Sequence, residues 1–219
     1  MMNIEKINFG PTLGKCKVDD VLVNELLETG LQQTTKNNKY LAGKIEHEFT
    51  YDEKLKNYFE PLIIPYLKNY LIQLEYSVNG YNDIEFKLSL DSLWINRQKN
   101  FEYNPPHSHN KHLSFVIYLQ IPEEIKKEKN ITSSNQPGSI EFNYGDNNNF
   151  SGIYGDYKDN IVSILSPITA YTYFPNVGDM FIFPSYLRHH VDAFKTSNVE
   201  RISVSGNLIV VDKKMKGII

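Results

Sequence analysis

Cysteine is almost missing from this 219-residue chain: Cys16 stands alone, which excludes an intrachain disulfide and any zinc site built on several thiolates. A reducing setting is the expectation. Long apolar runs are missing too. No stretch approaches the ~18 residues of a membrane span, and the opening MMNIEKINFGPTLGK has no apolar signal-peptide core. Positive charge is not in excess either, with 23 Lys and Arg against 26 Asp and Glu and a net charge of −3. A protein that binds nucleic acid mainly by neutralising phosphates is therefore not indicated. What the chain does have is a 41% hydrophobic content, ordinary for a globular protein and enough for one core, so a single domain over residues 1–219 is expected.

Two segments carry helical periodicity. In VDDVLVNELLETGLQQ (residues 18–33) apolar residues recur at Val21, Leu22, Leu26, Leu27 and Leu31, with Asp19 or Asp20 placed to cap the start. From about Asp52 to Leu74 an apolar stripe runs through Leu55, Phe59, Ile63, Leu67 and Tyr70, but Pro61 and Pro65 fall inside it, so a break or kink is expected. These helices, within residues 1–76, read as a buttress for a sheet. After Ser77 short β-branched and aromatic runs take over, bounded by Asn, Gly, Asp and Pro. The expected strands are Glu85–Asn96, His112–Ile121, Ser139–Tyr144, Asn160–Ser166, Ala170–Phe174, Asp179–Phe183 and Glu200–Val211. Seven such strands suit a mainly β fold, a jelly roll over 77–219 with flanking N-terminal helices. Pro122–Pro137, with its EEIKKEKN charge run, reads as a solvated loop, and Asp146–Asp159 as a loop able to cover a barrel mouth.

Five of the six histidines fall in two places, NPPHSHNKH at 104–112 and YLRHHVD at 186–192. In extended backbone the residues i and i+2 share a face ~6.5–7 Å apart, so His107 and His109 can converge on one metal ion, and Pro105 and Pro106 favour that backbone. His189, just after an expected strand, is the natural third ligand. Three protein ligands leave positions open for small molecules. His112 and His190 read as outside the ligand set, and His47 as a surface residue without partners.

In the last strand Arg201, Ser203, Ser205 and Asn207 alternate with Ile202, Val204, Gly206 and Leu208. If the polar face lines a barrel interior, Arg201 can offer its guanidinium fork to a carboxylate. A buried arginine without an anion is costly, so a small dicarboxylate is expected there. Tyr118 falls on the polar parity of its own strand, and Trp94 and Asn96 share a face that can line the same pocket.

Together SLWINRQ (92–98), PHSHNKHLSFVIYLQIP (106–122), VGDMFIFPSYLRHHV (177–191) and RISVSGNL (201–208) resemble the 2-oxoglutarate/Fe(II) oxygenase family common in marine bacteria and phages. The resemblance covers roughly residues 85–210. It implies a double-stranded β-helix with His107 as proximal ligand, His189 as distal ligand, and His109 in the position that most relatives fill with a carboxylate. It further implies 2-oxoglutarate bound by Arg201 with Ser203, to which the polar parity of Tyr118 adds a third cofactor-binding candidate, and a dioxygenase that releases succinate and CO2 while hydroxylating a primary substrate. The implied partners are 2-oxoglutarate, O2, that substrate and, as an option, a second copy of the chain as a homodimer. The implied location is the cytoplasm of a bacterium or phage-infected cell. With a histidine at 109, either a three-histidine site forms or a carboxylate such as Asp91 or Asp192 supplies a bond. Two other readings stay open: a cupin, which shares Gly178, Pro184 and His189 in spacing but lacks the glutamate expected after His-x-His, and a metal-free jelly roll serving as a virion or carbohydrate-binding module.

Overall fold

The computed structural model describes residues 10–36, 44–78, 86–129, 136–145 and 170–212. Ten strands are seen among them: β1 (Gly14–Lys17), β2 (His47–Thr50), β3 (Phe86–Gln98), β4 (Asn104–His107), β5 (Leu113–Gln120), β6 (Ile140–Asn143), β7 (Ala170–Tyr173), β8 (Asp179–Pro184), β9 (Arg188–Val191) and β10 (Arg201–Asp212). They form a six-stranded sheet in the order β1-β8-β5-β10-β3-β2 and a four-stranded sheet in the order β4-β9-β6-β7. All pairings are antiparallel. This is the mainly β, double-stranded β-helix architecture expected. The N-terminal region is more than a helical buttress, because β1 and β2 come from it and occupy the two edges of the larger sheet. At four residues each they are too short for alternation to register.

Three helices accompany the sheets: α1 (Asp20–Leu31), α2 (Glu53–Val78) and α3 (Glu123–Lys127). Asp19 caps α1, its side chain accepting from the Leu22 N–H at 2.9 Å, which satisfies a donor the first turn cannot pair. The helix buries Leu22, Val23, Leu26 and Gly30. Gly30 is required by space, since a Cβ there would run into the Tyr51 hydroxyl and Ile95. α2 stays continuous through Pro61 and Pro65, against the expected break. Both prolines are exposed, so carbonyls left without a donor can bond water, while Phe59, Ile63, Leu67 and Tyr70 hold the opposite face in the core. The charge run after Pro122 is likewise no simple loop. It winds into α3 because Ile125 is fully buried, which anchors an otherwise solvated turn.

Strand parity separates two cores. Leu88, Leu90, Leu93, Ile95, Phe115, Ile117, Met180, Ile182, Val204 and Leu208 point from the large sheet towards α1 and α2. The opposite parity, with Val116, Tyr118, Phe181 and Phe183, faces the small sheet's Ile140 and Phe142. At about 25 cal/mol per Å² of apolar surface, burial on both faces fixes the register of the long strands, because a one-residue slip would exchange the two faces. The expected strand at 160–166 and the expected mouth loop at 146–159 lie outside the described residues.

Candidate active site

The space between the sheets carries polar groups that the parity rule sends inward. On β10 these are Arg201, Ser203 and Asn207, and on β3 they are Asn96 and Gln98, all buried. Arg201 stands opposite Gln98, Ser203 opposite Asn96 and Tyr118, and Ser205 opposite Trp94.

At one side of this space β4 and β9 pair, with His107 directly opposite His189. His109 follows β4 in a turn held by the small-to-large sheet connection: its backbone N–H donates to the Ser185 carbonyl at 2.8 Å, and the Ser185 N–H donates to that of His112 at 3.1 Å. Beneath the turn the Ser114 hydroxyl bonds the Asn207 side-chain carbonyl at 2.7 Å and the Ser185 hydroxyl at 2.9 Å. One ring nitrogen from each of His107, His109 and His189 lies within 4.8 Å of the others. The ring centroids are 5.1 Å (107–109), 4.3 Å (107–189) and 5.3 Å (109–189) apart. Three imidazoles so close repel one another if protonated, and a shared cation removes the conflict.

The tautomers favour that use. His107 Nδ1 bonds the Pro105 carbonyl at 2.7 Å and His189 Nδ1 bonds the Leu187 carbonyl at 3.0 Å. A carbonyl only accepts, so in each ring Nδ1 carries the proton and Nε2 keeps its lone pair for a metal. His189 is packed against Phe183 and Phe142, at centroid distances of 4.8 and 6.0 Å, and the His109 ring lies 5.8 Å from Trp94. The carboxylates considered as substitutes are engaged elsewhere, Asp91 with Lys111 at 2.8 Å and Asp192 with His190 at 3.5 Å. Of the remaining histidines, His112 accepts the Val210 N–H at 2.8 Å. His47 is half-buried and lies 3.3 Å from Glu200, so it is not the partnerless surface residue expected. A four-residue strand opposite Arg97 was too short a signal to reveal that pairing.

Burial keeps the triad neutral. It is the largest cause in each case, holding His189 down to about 3 and His109 down to about 4, with the neighbouring His107 adding to both; His107 is lowered as well. An unfolded chain binds protons at these residues near pH 6.5, so the metal-free protein keeps its full stability above that pH and loses it as the pH falls towards 4. By pH 4.5 His109 and His189 should each cost about 2–3 kcal/mol, large beside a total stability of about 5–15 kcal/mol. Acid unfolding of metal-free protein, followed by circular dichroism, should therefore begin below about pH 6. A flat profile down to pH 4 would contradict this account of the triad.

Arg201 is 3% exposed. Its Nη1 donates to the Gln98 side-chain oxygen at 3.2 Å, and Gln98 is oriented by donating to the Glu102 and Asp192 carbonyls at 2.7 and 3.1 Å. The guanidinium carbon lies 4.9 Å from the centroid of the Tyr118 ring. Nε and Nη2 of Arg201 and the Tyr118 hydroxyl are buried and make no well-aligned hydrogen bond within the protein, the phenol and guanidinium interacting with each other. Three unpaired donors around a buried cation, with no carboxylate paired to it among the described residues, suit an anion with acceptor oxygens. Tyr118 is pushed up to about 12, mainly by burial and in spite of Arg201, so it stays a donor.

Of the residues expected at the site from the sequence, His107, His109, His189, Arg201, Ser203, Tyr118, Trp94 and Asn96 all lie at or next to this inter-sheet space. Gln98, Ser114 and Ser185 were not singled out, although Gln98 and Ser114 are polar residues at inward parity; Asn207 lies on the polar face of β10 expected to turn inward. A groove of about 560 Å³ lined by Pro106, Glu141, Arg188 and His190 is separate. Arg188 and His190 flank His189 in sequence and so face the other side of β9.

The two sheets enclose a histidine triad able to hold a metal ion and a buried arginine with no carboxylate partner among the described residues, the groups that a metal-dependent enzyme using a 2-oxo acid needs. Residues 92–207 match the family model described as "Putative 2OG-Fe(II) oxygenase", and the chain belongs to this 2-oxoglutarate- and Fe(II)-dependent oxygenase family. The matched region runs from the start of the Trp94 face to the end of the Arg201 face. Among solved structures, a 2OG-Fe(II) oxygenase family oxidoreductase from Burkholderia pseudomallei is similar at 11% identity and TM-score 0.50, covering 90% of this chain and 84% of that one. The non-heme alpha ketoglutarate dependent epimerase SnoN from nogalamycin biosynthesis is similar at 15% identity and TM-score 0.50, covering 95% and 83%. At such identities the likeness concerns the fold. No curated protein sequence matches the chain.

Proposed function

We propose that this oxygenase is a dioxygenase that hydroxylates a C–H bond of its primary substrate, with His107, His109 and His189 holding Fe(II) and Arg201, Tyr118 and Ser203 holding 2-oxoglutarate. The observation that carries the reading is the pairing of two unmet needs in one enclosure: three neutral imidazoles with free lone pairs, and three buried donors around a cation. Both sets fit their ligand chemically. Imidazole nitrogen suits Fe(II), and a dicarboxylate supplies the acceptors that Arg201 and Tyr118 lack. When bound, the iron and the 2-oxo acid together supply coupled oxidation, in which 2-oxoglutarate, O2 and R–H become succinate, CO2 and R–OH.

The protein's own residues do the rest. Arg201, steadied by Gln98, fixes the far carboxylate and with it the reach of the 2-oxo end. The carbonyls of Pro105 and Leu187 hold two ligand rings in register before metal arrives, which lowers the reorganisation needed on binding. Phe142, Phe183 and Trp94 keep water away from the centre, protecting reactive species from side reactions. Cytoplasmic location in a bacterial or phage-infected cell and a single domain across 1–219 belong to the same proposal.

The test is an anaerobic titration of purified protein with Fe(II) and then 2-oxoglutarate, following the weak visible charge-transfer absorption of a chelated 2-oxo acid. A saturable band is the expected result, and iron binding without a band would favour a cupin-like use of the barrel. His109 gives a sharper check. His109→Asp should retain iron and the band, because a carboxylate at this position restores the donor set of most relatives, whereas His109→Ala should lose at least tenfold in iron affinity, as loss of even a supporting partner costs roughly 10–100-fold. Equal iron affinities for the alanine variant and the parent would remove His109 from the ligand set.

A further inference from the structure

Strand β2 brings one group into the inter-sheet space that neither iron nor 2-oxoglutarate uses. Phe49 packs with the core beneath the helices, so its neighbour Glu48 points the other way, between the sheets. Glu48 is 1% exposed and stands directly opposite Asn96. The Asn96 amide donates to the Ser205 hydroxyl at 3.1 Å, which leaves its oxygen as the free end. Oε1 of Glu48 and Oδ1 of Asn96 are both buried with no hydrogen-bond partner. Two unpaired acceptors therefore lie on adjacent strands, two residues along and on the same face as Trp94, whose ring neighbours that of the metal-site residue His109.

No cation answers Glu48 from the described residues. Arg97 pairs with Glu200 at 2.8 Å, and Arg97 and His47 occupy the opposite parity of β3 and β2. Lys99 reaches Glu46 at 3.9 Å. Burial, with repulsion from Glu102 as the smaller cause, pushes the Glu48 carboxyl up to about 7. A buried carboxylate without a partner is among the more costly arrangements a core can hold, and a structural role would be better filled by glutamine.

The two acceptors also discriminate. 2-Oxoglutarate offers only acceptor oxygens and is repelled by a carboxylate, and O2 offers no donor, so neither satisfies this pair. Resting on the oxygenase reading above, we propose that Glu48 and Asn96 receive a cationic N–H group of the primary substrate, an ammonium or guanidinium, and hold the substrate beside Trp94 next to the metal centre. Glu48 supplies the charge selectivity and Asn96 a second acceptor that fixes orientation. The substrate class is thus a basic one, such as an amine-bearing metabolite or a lysine- or arginine-like side chain.

The test uses the full chain loaded anaerobically with Fe(II) and 2-oxoglutarate, the absorption band reporting an intact centre. n-Butylamine and ethylguanidinium are titrated against their neutral counterparts n-butanol and propylurea. The expected result is a saturable perturbation of the band by the cations at concentrations at least tenfold lower than by the neutral compounds. Glu48→Gln should form the parent band and lose that preference, and Asn96→Ala should weaken cation binding while keeping it. Glu48→Gln should also raise the thermal midpoint at pH 8, the reverse of what loss of a structural contact gives. Equal responses to charged and neutral probes, no response to any, or a preference that survives Glu48→Gln would each overturn the proposal. A parent protein that forms no band would instead strike the catalytic reading itself, and the thermal shift would still report on Glu48.

Discussion

His189→Ala is expected to abolish the 2-oxoglutarate absorption band and to reduce Fe(II) affinity by more than the roughly 10–100-fold that loss of a ligand's hydrogen-bond partner costs. The surroundings of His189 explain why no neighbour can stand in. Its ring is 6% exposed and is walled by Phe142 and Phe183, which offer no donor atom. Asp192 is directed to His190 and Asp91 to Lys111. Equilibrium binding of Fe(II) followed by the band decides the matter, with circular dichroism as the check that the variant folds. A His189→Ala protein that keeps parental iron affinity and its band would show that the ion sits elsewhere.

The second large effect concerns Arg201. Arg201→Ala should leave Fe(II) binding unchanged and weaken 2-oxoglutarate by a factor on the order of 10²–10³, the range that truncating a buried hydrogen-bonded charge pair gives. Arg201→Lys should recover only part of that, because one ammonium cannot supply the fork presented by Nε and Nη2 while Nη1 stays on Gln98. A third substitution at this position carries a signature in the ligand-free protein. An isosteric apolar replacement, Arg201→Met, should be neutral or stabilising, since it removes a buried cation that has no anion among the described residues. Unchanged 2-oxoglutarate affinity in the alanine variant would take Arg201 out of the cofactor site.

Much of this was readable from residue order because parity does the geometric work. Alternation on β10 separates Arg201 and Ser203 from Ile202 and Val204, and burial of both faces leaves only one inward set. Two prolines before the His-x-His specify the extended backbone of β4 up to His107, and the two-residue spacing keeps His109 near it, although His109 itself lies just beyond the strand. Elements whose identity depends on distant partners were not readable. β2 is four residues long, and Glu48 is recognisable as an interior residue only once Asn96 is seen opposite it. α2 runs through two prolines because its solvent face tolerates them, a fact about exposure that periodicity does not contain. Ile125 pins α3 by a tertiary contact, overriding a local charge pattern that favours a loop.

The placement of β1 and β2 at the two margins of the six-stranded sheet has a consequence for handling the protein. Each is a four-residue strip, short enough to be a poor template for another chain, and they cover residues 179–182 of β8 and 94–97 of β3. A chain begun at residue 77 would retain the residues proposed to hold iron and 2-oxoglutarate and the matched family region, but it would lose Glu48 and bare both of these stretches at once. Such a fragment is expected to self-associate through strand pairing, which would show β1 and β2 to be edge covers as well as members of the sheet.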